Sequence, residues 1–134
     1  MSWDVSVQRF SREYDTVAEI PETERCFELG SRSEVSAAIS RHFPGTNWTD
    51  SACGVFDSAD GSIEFSLGES DPCDGFVMHI RASSAVVPTL VAMCIAERWQ
   101  ALDWSTNEFL ERMAEPSAGL KQWRQFRDEV VADT

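Results

Sequence analysis

Basic charge, long apolar runs and recognisable catalytic motifs are scarce or missing in this chain, and each shortage closes off a class of function. Eleven Lys and Arg stand against 23 Asp and Glu, for a net charge of −12. That balance opposes binding to nucleic-acid phosphates or to an anionic membrane. The longest apolar segment, Ala85 to Ala96, is interrupted by Pro88 and Thr89 and is too short to span a bilayer. Met1-Ser2-Trp3-Asp4 has neither a basic start nor an apolar run, so no secretory leader is expected. There is no G-x-S-x-G, no placeable Cys–His pair and no phosphate-cradling glycine-rich loop. Internal repeats, low-complexity tracts and domain linkers are absent too.

The cysteines lack metal spacing. Cys26, Cys53, Cys73 and Cys94 are 27, 20 and 21 residues apart, with no C-x-x-C. They are read as reduced thiols of a cytoplasmic protein. Cys26 and Cys73 sit beside expected loops, which leaves one disulfide open.

What is present fits one globular domain, residues 1–134. Apolar residues make up 43 % and charged residues 25 %, against disorder. A chain of this length buries roughly two thirds of its unfolded surface and needs no staple.

The clearest pattern runs from Cys53 to Arg81. Ile63, Phe65 and Leu67 alternate with Ser62, Glu64 and Ser66, and Phe76, Met78 and Ile80 alternate with Val77, His79 and Arg81. Strand side chains alternate faces, so this meander should bury one face and leave the other wet. Asp60-Gly61, Asp71-Pro72 and Asp74-Gly75 mark its reversals. Trp3 to Phe10 alternates in the same way, which predicts a first strand. Ser11 to Gly30 has no period. Val17, Ile20, Phe27 and Leu29 are the expected pins of this long connection.

Helices are expected at three places. Ser31 with Glu34 forms a capping box ahead of Val35, Ala38, Ile39 and Phe43. His42 on that helix reads as a boundary residue. Ser83 and Ser84 precede a helix over 85–98 that is apolar almost all round, which predicts a buried one. A last helix covers 118–131, with Trp123 and Phe126 as its main anchors. Thr46 to Ala52 reads as a polar connection, 101–104 as a strand, and 108–110 as a return strand or a helical turn. The fold class is therefore α+β: a mostly antiparallel sheet of five or six strands with helices on one face, in the order β-α-β-β-β-α-β-(β)-α.

Several blocks, Met1 to Gln8, Ser62 to Gly68 and Gly75 to Arg81 among them, resemble an uncharacterised family of small bacterial cytoplasmic proteins. The resemblance implies a bacterial source and one small domain. It carries over no catalytic residue.

Two sets of residues are candidates for function. On the wet sheet face stand Glu64, His79 and Arg81, joined by Asp4, Ser6 and Gln8 from the first strand and Asp103 from the later one. A carboxylate, an imidazole and a guanidinium on neighbouring strands suit acid–base work or the binding of a small ligand. A solvated face with a cross-strand ion pair is the plainer explanation. The second set is acidic: Glu13, Asp15, Glu19 and Glu22 in the long connection, and Asp57, Asp60, Glu69, Asp71 and Asp74 at the meander tips. These would face a basic protein, because complementary charge speeds encounter and sets specificity. The loop aspartates lack D-x-D-x-D-G calcium spacing, so no metal and no cofactor is expected. The expectation is a non-enzymatic bacterial binding protein, in its sharpest form an immunity-type inhibitor of a basic toxin. A ligand-binding or enzymatic sheet face is the alternative. Monomer and homodimer are both open.

Overall fold

Alternation decides the sheet. In the computed structural model, which describes residues 2–132, strand β1 (Trp3–Gln8) buries Trp3, Val5 and Val7 and leaves Asp4, Ser6 and Gln8 half-exposed. Strands β2 (Asn47–Asp50), β3 (Cys53–Ser58), β4 (Gly61–Ser66), β5 (Gly75–Ala82), β6 (Gln100–Asp103) and β7 (Glu108–Phe109) complete one sheet. Its order is β2-β3-β4-β5-β1-β6-β7, and every pairing is antiparallel. The register sets Ile63 opposite Ile80, Phe65 opposite Met78, and Val5 opposite Met78. One face is therefore continuous in apolar side chains.

Three helices cover that face. Helix α1 (Arg32–His42) begins with the capping box, since Ser31 Oγ accepts from Glu34 N at 3.1 Å while Ser31 N donates to Glu34 Oε1. It buries Val35, Ala38 and Ile39. Helix α2 (Val87–Glu97) follows a short 3-10 turn and keeps Pro88 in its first turn, where the missing N–H costs least. Helix α3 (Ala118–Ala132) closes the fold with Leu120 fully buried. No helix among the described residues is long and apolar enough to cross a membrane.

The structure corrects the expected elements and their packing at four places. Thr46 to Ala52 is not a bare connection but holds β2, so the sheet has seven strands. Trp48 makes that edge stick: its indole lies over Gly54, where a Cβ would come within 2.7 Å, and its Nε1 donates to Ser40 Oγ at 2.9 Å. Helix α2 is not buried all round. Val87, Leu90, Met93 and Cys94 face inward, whereas Pro88, Ala92 and Ala96 are exposed and Ile95 is 61 % exposed. On α3, Trp123 packs on the core but Phe126 is 56 % exposed. In the 11–30 connection Leu29 is buried, Phe27 is 51 % exposed, and the main pin is Tyr14.

Register also fixes two ends of the sheet. Gln8, Gly75, Gln100 and Ser66 lie together at one end, and Trp3, Ile80, Gly61 and Asp103 lie toward the other. The sheet thus has a Gln8 end and a Trp3 end.

Candidate functional site

The helix-free face carries the first candidate set. Glu64 stands directly opposite His79 across β4 and β5, and Asp4 directly opposite His79 across β5 and β1. His79 Nδ1 donates to Asp4 Oδ1 at 2.8 Å, and Ser2 Oγ donates to the same oxygen at 2.6 Å. Arg81 lies 4.0 Å from Glu64, both side chains nearly half-exposed, a spacing worth little in water. Cys53 Sγ donates to Glu64 Oε1 at 3.6 Å, and its thiol is pushed up first by burial and then by the Glu64 charge. The strand pleat thus gathers Asp4, Glu64, His79 and Arg81 as the alternation requires. None of five surface grooves is lined by Glu64, His79 or Arg81.

Asp103 does not belong to this face. It pairs with Val5, so it points to the helix side, fully buried. Trp3 Nε1 donates to its Oδ1 at 2.9 Å, as do Ser105 N at 2.8 Å and Ser105 Oγ at 2.6 Å. The apolar Leu102 takes the outward position instead. Buried polar groups need partners; the indole and the Ser105 turn supply them to Oδ1, whereas the buried Oδ2 has no hydrogen-bond partner among the described residues.

The acidic set splits between the two ends of the sheet. Asp57 and Asp60 lie at the Trp3 end, where Asp60 O accepts from Ser83 N at 2.8 Å. Glu69, Asp71 and Asp74 are in the 67–74 loop at the Gln8 end. The 11–30 connection leaves β1 at that same end and is stitched to the loop. Leu29 N donates to Cys73 O and Cys73 N donates to Gly30 O, both at 2.8 Å. Glu13, Asp15, Glu19 and Glu22 therefore share an end with Glu69, Asp71 and Asp74, and Asp57 and Asp60 do not.

Not all of these carboxylates are available. Glu13 and Asp15 lie 3.0 and 3.4 Å from Arg112. Asp71 accepts from Arg32 N at 3.1 Å, and Glu19 is 4.0 Å from Arg12. Glu24, also in the connection, is a fastener: it accepts from Ser11 N, Ser11 Oγ, Arg25 N and Tyr14 Oη. Those bonds, Ser11 Oγ first and Tyr14 next, hold its carboxyl down at about 2. Glu22, Glu69 and Asp74 make no side-chain hydrogen bond or ion pair among the described residues.

At the junction lies a groove of about 390 Å³. Its floor is the polar sheet face at Gln8, Ser66 and Val77, and its walls include Cys26, Gly68 and Asp74. Sequence reading missed this site. Strand parity places the 67–74 loop near the end of β1, but no residue pattern announces that Gly30 pairs with Cys73.

No known protein family, curated protein or solved structure matches this chain. The resemblance drawn from the sequence blocks stands on those blocks alone.

Proposed function

We propose that this chain is a non-enzymatic bacterial binding protein that takes a basic protein on its Gln8 end, as an immunity-type inhibitor of a basic toxin in the cytoplasm. One observation carries the reading: the hydrogen-bonded junction of Gly30 and Cys73 joins two acidic loops into one surface. The 11–30 connection contributes six acids against Arg12 and Arg25, and the 67–74 loop contributes three against none. A surface with an excess of one sign attracts a partner of the other, and attraction between exposed charges is screened by salt.

The acidic set at that end is Glu13, Asp15, Glu19, Glu22, Glu69, Asp71 and Asp74. Glu22, Glu69 and Asp74 make no side-chain bond among the described residues and lead the binding, while the other four already face Arg112, Arg12 or Arg32. Asp57 and Asp60, on the other end, drop out of it. The test is affinity capture from the cells that make the protein, followed by stopped-flow association at rising salt. The reading expects a stoichiometric complex with a basic protein, an association rate that falls as salt rises, and relief of that protein's toxicity on co-expression. A partner whose association ignores salt counts against it.

The bond between Asp4 and His79 favours a second reading, a ligand-binding or acid–base role for the sheet face. A carboxylate on Nδ1 fixes the ring and leaves Nε2 for a proton or a ligand. The triple substitution Glu64→Gln, His79→Gln and Arg81→Gln tests it. Ligand binding or turnover that is unchanged in the folded triple variant removes this reading.

A further inference from the structure

The groove at the junction differs from the two grooves nearby in its charge: Asp74 alone charges its lining, whereas Arg9 lines both of the others and Arg12 and Arg98 line one of them. Its volume of about 390 Å³ lies in the usual range for small-ligand sites, roughly 300–1,000 Å³. The floor presents the aliphatic Val77 beside the neutral polar groups of Ser66 and Gln8. Gly68, with φ of +73° and open space where a Cβ would stand, keeps one wall low. Asp74 is the only charged residue lining the groove, and it makes no side-chain bond among the described residues.

A ligand class follows from that lining. An anion is repelled by Asp74. An uncharged apolar ligand would cover that carboxylate and give it nothing in return, which costs free energy. A long cation matches both parts: its methylene stem covers apolar wall while its head reaches a carboxylate. We propose that the groove bounded by Gln8, Cys26, Ser66, Gly68, Asp74 and Val77 seats an arginine or lysine side chain of the basic partner. The proposal rests on the reading of the Gln8 end as a binding surface for a basic protein, and it names the anchor point within that surface. The influence of Asp74 on its neighbours fits this placement. Its charge is the second cause, after burial, that pushes up the Cys26 thiol across the groove.

The experiment titrates hexa-arginine into the full chain at low salt and follows the backbone amides by NMR. Hexa-citrulline, similar in shape and neutral, is the control. Three variants accompany it. Asp74→Asn removes the charge in the groove. Cys26→Trp fills the groove from an exposed rim position and leaves every charge in place. Glu22→Gln with Glu69→Gln removes two charges outside it. Thermal unfolding of each variant confirms that it folds.

The proposal expects shifts centred on Gly68, Gly75 and Val77 with hexa-arginine and none with hexa-citrulline. Asp74→Asn and Cys26→Trp should each weaken binding about tenfold, and the Glu22, Glu69 pair by no more than about threefold, because a seated charge matters more than a rim charge. If the pair weakens binding as much as Asp74→Asn while Cys26→Trp binds normally, the cation rests on the acidic surface at large. The groove proposal then fails and the partner reading survives. If hexa-arginine does not bind, or hexa-citrulline binds as well, both fail.

Discussion

The two ends of the sheet use the same side chain in opposite ways. At the Trp3 end, Asp103 is fully buried, and Trp3 and Ser105 donate three hydrogen bonds to one of its oxygens. At the Gln8 end, Asp74 is exposed on the wall of a groove and makes no side-chain bond among the described residues. A carboxylate sealed in the core and tied through one oxygen to an indole and a turn is architecture, even with its Oδ2 unpartnered among the described residues. One held beside a groove with its bonding capacity unspent is available to a partner. Acidity in the sequence does not distinguish the two; burial together with the donors on Oδ1 does.

The sharpest way to break the comparison is to remove Asp103. Asp103→Ala leaves the buried Trp3 indole without an acceptor and should cost about 3 kcal/mol, since a stranded buried donor loses its full desolvation energy. Urea unfolding checks it, and a loss below about 1 kcal/mol would mean that the site is not the fixture described. Gly119→Ala comes next. A Cβ at Gly119 would overlap the Asp103 carboxylate, and overpacking of this kind costs about 1–3 kcal/mol. The two changes should be less than additive in a double variant, because each acts through the same contact.

Acid should loosen the Gln8 end through Glu24. Its carboxyl titrates at about 2 in the folded chain, below the ordinary 4.5. The folded state therefore gains stability above the ordinary value, and loses it as pH falls from about 4.5 toward 2. Amide exchange in 11–30 should rise over that window, and Glu24→Gln should flatten the response. The smallest effect is expected from Glu22→Gln with Glu69→Gln. Both side chains are exposed and unbonded among the described residues, so stability should change by no more than about 0.5 kcal/mol, while association with a basic partner slows.

Much of the fold was legible because its strongest signals are local. The alternation of β1, β4 and β5 names the buried face residue by residue, and Ser31 with Glu34 marks the start of α1. The stretch 101–104 misled because its two faces compete. Judged by polarity, Leu102 should point inward and Asp103 outward. Pairing of Val5 with Asp103 reverses this, and Trp3, distant in sequence, makes it tolerable. Helix α2 misled because an apolar composition does not say how much neighbouring surface exists to cover it. The acids at the meander tips were grouped by composition, yet consecutive reversals of a meander lie at opposite ends. For the candidate site, the Asp4, Glu64, His79 and Arg81 face could be read from parity. The groove could not, since it depends on the pairing of Gly30 with Cys73.

The most direct test of the central claim compares the ends with the captured partner in hand. Two variants are measured by surface plasmon resonance against the unaltered chain: Glu22→Gln, Glu69→Gln, Asp74→Asn at the Gln8 end, and Asp57→Asn, Asp60→Asn at the Trp3 end. The account predicts that the first variant binds at least about tenfold more weakly and that the second binds within about twofold of the unaltered chain. Equal losses from both, or a loss from the second alone, would contradict it.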